Sequence, residues 1–537
     1  MKLKNIKKSI LLLVALFLIT TGVSYAETFT LPSSDTNTNI FDTNVLSLQD
    51  NLQLNDYKVA LNTQDSSMSP ADLNTSKEWM LSGSLRSRYE WWDWFNPGKV
   101  AGGMNYNYPY VGNLARIKLT NERPHADTTV EFSVPALFFL PHNASAPPPQ
   151  GPLGLGGIYK GVNRGNFTSI FLKQANINFK GTLEKNTNVK LGRFEFFDGL
   201  ESLTGDTSLD WVKKNRIGQR LIGNFGFTHI QRSFDGFHIS HDDPYTNITI
   251  VGAKPTYGVF DLSGNREVSD VDFLYTSITP KFNFVRAGLK PIEKRNYDAR
   301  LFYLLYNDDR SLLKSDNRPL TALRRDTQDI LLNTFGGHYL QKVGPVDLLT
   351  WGTLQFGDWG KQKQRAFAYT YEAGYQPKNF FMKPWLRIGR ERSSGDSNST
   401  DGKHETFFQM LPTPRLYAKT PFFNMMNLKN NFIQLLFRPR DKMAVTLEFH
   451  NLRLAEPKDL WYIGGGAFQN STFGFNGRPS SGKRALANLL DIGFDYKVSK
   501  NLDFSFYLGH IIGDGVVRSI YPGRRGNFTY WELTRYF

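Results

Sequence analysis

The C-terminal stretch Asn527–Phe537, NFTYWELTRYF, reads as one two-faced strand ending on an aromatic residue. Trp531, Leu533 and Phe537 share one parity, and Tyr530, Glu532, Thr534 and Tyr536 share the other, so the two sets point to opposite faces. A terminal strand frays unless it is held, and an open sheet edge invites pairing with another chain. A sheet that closes on itself removes both problems. The expectation is an outer-membrane β-barrel in which Trp531, Leu533 and Phe537 are the signal recognised by the outer-membrane assembly machinery. Arg535 stands on the apolar parity and is expected to snorkel to the membrane surface. The competing reading is the last surface strand of a soluble β-sandwich.

The N-terminus sets the compartment. Lys2, Lys4, Lys7 and Lys8 precede the apolar run Ile10–Ile19, and Ser24-Tyr25-Ala26 offers the small residues of a cleavage site. Residues 1–26 are therefore expected to be a cleaved signal peptide, too short to span a bilayer. The chain has no cysteine, which excludes disulfides, thiolate metal ligands and a thiol nucleophile. Beyond the signal no apolar run is long enough for a transmembrane helix, so a membrane span would have to be built from strands. Aromatic residues make up 14% of the chain while mean hydropathy is −0.40, the pairing expected of an apolar exterior around a wet interior.

Charge is unevenly distributed. Residues 27–76 contain one lysine, Lys58, against Glu27, Asp35, Asp42, Asp50, Asp56, Asp65 and Asp72, and are expected to be a flexible periplasmic extension. The remainder, 77–537, carries about +17. On an exported chain that surplus points away from nucleic acid and towards anionic polysaccharide, small anions and the lipids and lipopolysaccharide of the outer membrane.

From Trp79 onward, alternating segments recur at the length of a tilted membrane strand. Leu81, Leu85, Tyr89 and Trp91 oppose Ser82, Ser84, Arg86, Arg88 and Glu90; Phe367, Tyr369 and Tyr371 oppose Ala366, Thr370 and Glu372. Short linkers at 121–127, 181–186, 242–246, 342–345, 439–442 and 498–501 are interleaved with long ones at 95–111, 142–166, 198–228, 308–328, 393–430, 455–485 and 513–526. This asymmetry predicts an all-β, antiparallel transmembrane barrel of about 18 strands over 77–537, wide enough for an aqueous channel, with 245–307 the least defined stretch.

Several segments, in order, resemble the alginate export family of bacterial outer-membrane proteins. They are Leu191-Gly-Arg-Phe-Glu195, Asp210-Trp211, Arg232-Ser-Phe-Asp-Gly236, Ser394-Gly-Asp396 and the closing strands from Leu489 to Phe537. The resemblance implies a monomeric eighteen-stranded barrel whose basic lumen passes an acidic polysaccharide, alginate or a similar polyuronate, outward. It departs from the family's best-known member near the C-terminus. That member has a long periplasmic gating loop where this chain has the tight linker Val498–Asn501.

Arg86, Arg88, Arg116, Lys118, Arg193, Arg232 and Arg387 are the candidates for pore-lining, anion-binding residues. Fixed positive charge in a narrow channel concentrates carboxylates and repels cations. Their expected lumenal acidic partners are Glu90, Glu195, Glu448 and Asp491; Glu131, Glu372 and Asp503 could brace the wall in the same way. Arg193 shares the parity of Val189 and Leu191, so it reaches the lumen only if a bulge forms near Gly192. The proline-rich loop 142–166 is read as a stiffened surface loop, with insertion into the barrel as the alternative. Asp396, Asn398, Thr400, Asp401 and Glu405 faintly suggest a calcium loop, but Asp401 occupies the glycine position. No nucleophile–base order stands out among the nine histidines, so neither an enzyme nor a cofactor or metal is expected. Besides polysaccharide export, two functions remain open: a general or selective anion porin, and a structural or adhesive surface barrel.

Overall fold

The computed structural model describes residues 79–537, with breaks at 100–102, 164, 263, 283–294, 414–416, 418, 465–468 and 470–471. The expected signal peptide, 1–26, and the expected periplasmic extension, 27–76, lie outside the described residues.

The wall is a barrel of eighteen strands. The first six are β1 (Met80–Asp93), β2 (Asn107–Glu122), β3 (Ala126–Phe138), β4 (Phe171–Lys180), β5 (Thr187–Phe194) and β6 (Phe234–Asp242). Next come β7 (Thr246–Pro255), β8 (Val271–Pro280), β9 (Tyr297–Asp308), β10 (Ile330–Val343), β11 (Val346–Trp359) and β12 (Gln362–Tyr375). The last are β13 (Trp385–Ser393), β14 (Leu428–Phe437), β15 (Met443–Leu454), β16 (Ala485–Ser499), β17 (Leu502–Gly513) and β18 (Arg525–Tyr536). Each pairs antiparallel with the next, and β18 returns to β1 with Trp531 opposite Tyr89 and Tyr536 opposite Ser84.

Alternation sorts the side chains. On β1, Ser84, Arg86, Arg88 and Glu90 are buried inside, while Leu85 and Tyr89 are exposed outside. Leu354, Phe356, Ile388, Phe449, Trp531 and Leu533 continue the apolar exterior on other strands. Arg535 lies on this outward face, opposite Leu85 and Leu502 near the strand ends, where its guanidinium can reach the membrane surface.

The connections follow the expected asymmetry. Residues 123–125, 181–186, 243–245, 344–345, 438–442 and 500–501 are short turns at one rim, taken as periplasmic. The opposite rim carries 139–170, 195–233, 309–329, 394–427 and 455–484, with the tight turn 360–361 as its exception. Among the described residues, the ill-defined stretch 245–307 contains β7, β8 and most of β9.

One local expectation is corrected. The register from β4 through β5 to β6 runs past Gly192 without a shift, so no bulge turns Arg193 inward. The irregularity lies instead between β3 and β4, where Lys173 is skipped between Leu172 and Gln174. Lys173 and Gln174 are consequently both buried inside the barrel.

Phe537 completes the seam. Its amide donates to the Gly83 carbonyl at 3.1 Å, and the Gly83 amide donates back at 3.0 Å. Its ring lies where a Gly83 side chain would project, so the glycine is what lets the terminal aromatic settle on the wall. Deleting Phe537, or making Gly83→Val, is expected to lower the yield of heat-modifiable folded barrel severalfold. Deleting 27–76 should change it far less. Equal yields from all three on a semi-native gel would refute this account of closure.

Candidate functional site

The lumen is occupied by the chain itself. Loop 195–233 descends through it to the turn-side rim. There Asp206 caps helix α1 (Thr207–Val212), accepting from the Ser208 and Leu209 amides. Six residues cannot sustain a helix alone. Packing holds it, with Leu209 and Val212 fully buried and Trp211 4.8 Å from Trp385 of β13. Asp206 pairs with Lys342 of β10 at 2.9 Å, and Ser208 donates to Gln376, both at the rim. The chain then climbs back through a π-helical turn, Lys213–Ile217.

Two further loops join it. In loop 394–427, the Leu411 amide donates to the Leu221 carbonyl at 2.9 Å, and the Gly223 amide returns the bond at 2.8 Å. The proline-rich loop also turns inward, against the surface reading. Leu153, Leu155 and Tyr159 are buried, Tyr108 donates to the Leu153 carbonyl at 2.7 Å, and the His229 amide donates to the Tyr159 hydroxyl.

Ion pairs fasten these loops to the wall, because a charge withdrawn from water persists only when it is paired and hydrogen-bonded. Arg88 binds Glu532 at 2.6 Å and Glu90 at 3.3 Å, and donates to the Phe227 carbonyl. Arg86 donates to the Gly226 and Thr228 carbonyls. Arg116 clasps Glu131 and reaches Glu195 at 2.9 Å, which Lys173 and Asn224 also engage. Loop bases meet wall acids as well. Lys213 pairs with Asp298 at 2.6 Å, Arg216 with Glu372 at 2.9 Å, and Arg220 with Glu391 at 2.9 Å. Arg387 completes the last group through Asp347 and through Glu372 at 3.3 Å.

The candidates therefore divide. Arg86, Arg88, Arg116 and Arg387 face inward but are buried in ion pairs or carbonyl bonds. Arg232 is buried between inserted loops, donating to the Pro412 carbonyl. Arg193 keeps the outward parity and forms a two-pronged pair with Asp235 near the loop-side rim, so it does not line the lumen. Glu90, Glu448 and Asp491 are inward and buried, on the parity expected of them, whereas Glu195, which shares the parity of Val189 and Leu191, is turned inward only beyond the end of β5. The wall–loop pairs centred on Arg300, Lys213, Arg216 and Arg220 escaped sequence reading. The run Lys213-Lys214-Asn215-Arg216, basic residues within a long loop, was the available signal.

One sector is less tightly filled. Towards the turn-side mouth, Lys118, Asn178, Asn188, Lys190, His238 and Ser240 are half-buried on the inward faces of β2 and β4–β6. Lys118 and Lys190 are near enough to repel one another.

The calcium-loop residues do not converge. Asp396 accepts from the Asn398 amide, and its own amide donates to Asp459. In these outer loops, burial pushes the Asp396 carboxyl up to about 6 and that of Asp459 up to about 7.

A family model described as alginate export matches residues 162–518. No curated protein sequence matches the chain. Among solved structures, OccAB1 of Acinetobacter baumannii is 10% identical, with 88% of this chain and 99% of that one covered at a TM-score of 0.50. OccAB2 of the same organism is 10% identical, with 86% and 98% covered and a TM-score of 0.50. The outer membrane protein opdK of Pseudomonas aeruginosa is 8% identical, with 85% and 99% covered and a TM-score of 0.48. At these identities the likeness to OccAB1 and OccAB2 is one of fold.

Glu372 offers a direct test of the electrostatic fastening, because Arg216 and Arg387 share it. Glu372→Gln is expected to cost about 3–5 kcal/mol by stranding buried charge. Protease should then reach loop 195–233 in the detergent-solubilised barrel. Asp358→Asn, at an exposed pair with Lys363, should shift stability by less than about 1 kcal/mol. Identical melting and cleavage for the two variants would refute the fastening role.

Proposed function

The chain belongs to the alginate export family, and on that premise we propose that it is an outer-membrane channel for acidic saccharides, entered at the turn-side mouth and constricted by loop 195–233. The observation that carries this reading is the half-open sector of Lys118, Lys190, His238, Asn178, Asn188 and Ser240. Ammonium groups attract carboxylates at a distance, while amides and hydroxyls exchange hydrogen bonds with sugar hydroxyls. Above this sector lie Arg116 and Lys173, already paired with Glu131 and Glu195. An incoming carboxylate can trade places with these acids without leaving a base unpaired. Passage is passive; no group in the lumen is assigned a chemical step.

A second reading, a selective channel for small anions, draws support from the crowding of the lumen by three inserted loops. The two readings differ in whether a polymer can displace α1 and the turn that follows it.

Bilayer recordings under a salt gradient should give a reversal potential favouring chloride over potassium, weakening as salt screens the lysines. Lys118→Gln with Lys190→Gln should remove most of that preference. Oligouronates added at the turn side should block the current, whereas neutral oligosaccharides of equal length should not. Excising 205–217 should raise conductance severalfold and admit longer oligouronates. Cation preference, or block that ignores solute charge, would overturn the proposal. Conductance that responds to small anions but never to oligouronates, even after excision, would favour the second reading.

A further inference from the structure

We propose that Glu448, His450 and Asp491 form a binding site for a zinc-class divalent ion on the lumenal wall. Glu448 and His450 lie two residues apart on β15 and face inward together; Asp491 lies opposite Glu448 on β16. His450 Nε2 is 3.3 Å from one Glu448 oxygen and 3.6 Å from Asp491 Oδ2, and one ligand atom from each residue falls within 4.8 Å of the others.

Surrounding groups aim these atoms. Asn430 donates its amide nitrogen to Glu391 at 2.9 Å, which leaves its oxygen facing His450 Nδ1 at 3.2 Å. Because a carboxylate can only accept from that amide, the Asn430 orientation is chemically settled, and Nδ1 must carry the ring proton. The Nε2 lone pair is thereby turned towards two carboxylates. Each carboxylate has its other oxygen engaged. Lys419, at 2.9 Å, and Gln434 take Glu448 Oε1; Tyr507 and Thr420 donate to Asp491 Oδ1. Asp491 is 1% exposed, and its Oδ2 accepts no hydrogen bond.

A lone pair facing two spare carboxylate oxygens calls for a cation between them. A proton on Nε2 could serve only one oxygen well, and these separations exceed the ~2.7–2.9 Å of charge-assisted hydrogen bonds. The two separations lie near the ~3.3 Å edge of a tetrahedron whose metal–ligand bonds are ~2.0–2.1 Å. One imidazole and two carboxylates, all three residues buried, suit zinc. Calcium and magnesium require more oxygen ligands than are gathered here. The fixed Nδ1 donor and the held outer oxygens are the supporting bonds that orient metal ligands. The inference stands apart from the channel reading, since it needs only the folded wall and the neighbouring segment Lys419–Thr420.

The folded barrel, purified without a histidine tag and stripped with chelator, should bind one equivalent of Zn2+ by calorimetry. With Co2+ it should develop the visible absorption of a tetrahedral site. His450→Gln and Asp491→Asn should each weaken Zn2+ binding at least tenfold and abolish the Co2+ bands while heat-modifiable migration is kept. His510→Gln, on β17 beside Asn527, should leave both unchanged. Absence of saturable binding by the folded wild type would overturn the site whatever the variants do. Undiminished binding by folded His450→Gln would overturn it equally.

Discussion

Everything in this molecule depends on the seam between β1 and β18. In hydrocarbon no water is available to satisfy a free amide or carbonyl, so a spanning sheet must leave no edge. The pairing of Trp531 with Tyr89 and of Phe537 with Gly83 makes eighteen strands into one closed wall. Closure in turn separates two solvents. Leu354, Phe449 and Trp531 can be greasy outside because Arg88, Glu372 and Asp491 have an enclosed interior to face.

That interior is governed by charge pairing. The wall sets Glu372, Glu391 and Asp298 against Arg216, Arg220 and Lys213 of loop 195–233, and the loop sets Glu195 against wall Arg116. Neither surface would tolerate burial alone, since each ion leaving water loses several kcal/mol of solvation. Together they hold a loop whose one α-helix spans six residues and has little intrinsic stability. The arginine-rich interior is therefore an adhesive between loop and wall before it is a lining for solute.

How far the sequence reached can be judged residue by residue. Parity alone placed Arg86, Arg88, Arg116 and Arg387 inside and Leu85, Tyr89 and Trp531 outside, because a strand has a period of two and a membrane barrel has two unlike faces. The order of short turns and long loops was legible for the same reason: proline, glycine and polar runs interrupt that period. Arg193 failed where the argument invoked a bulge at Gly192; the chain bulges at Lys173, and nothing in the period marks the position. The proline-rich loop failed because its direction is decided by Trp92, Tyr108 and Tyr159 packing across the barrel mouth.

By itself, then, the sequence determined the class of the fold, its two faces, its strand order and the family to which it belongs. These follow from local alternation and from the rule that exported, helix-free membrane spans must be closed sheets. Only the tertiary structure decided what fills the lumen and who pairs with whom. Arg216 meets Glu372 across 156 residues of chain, and Thr420 meets Asp491 across 71, separations at which no periodicity carries information. Such partners are chosen when the ring closes and buried charges must find opposites within reach.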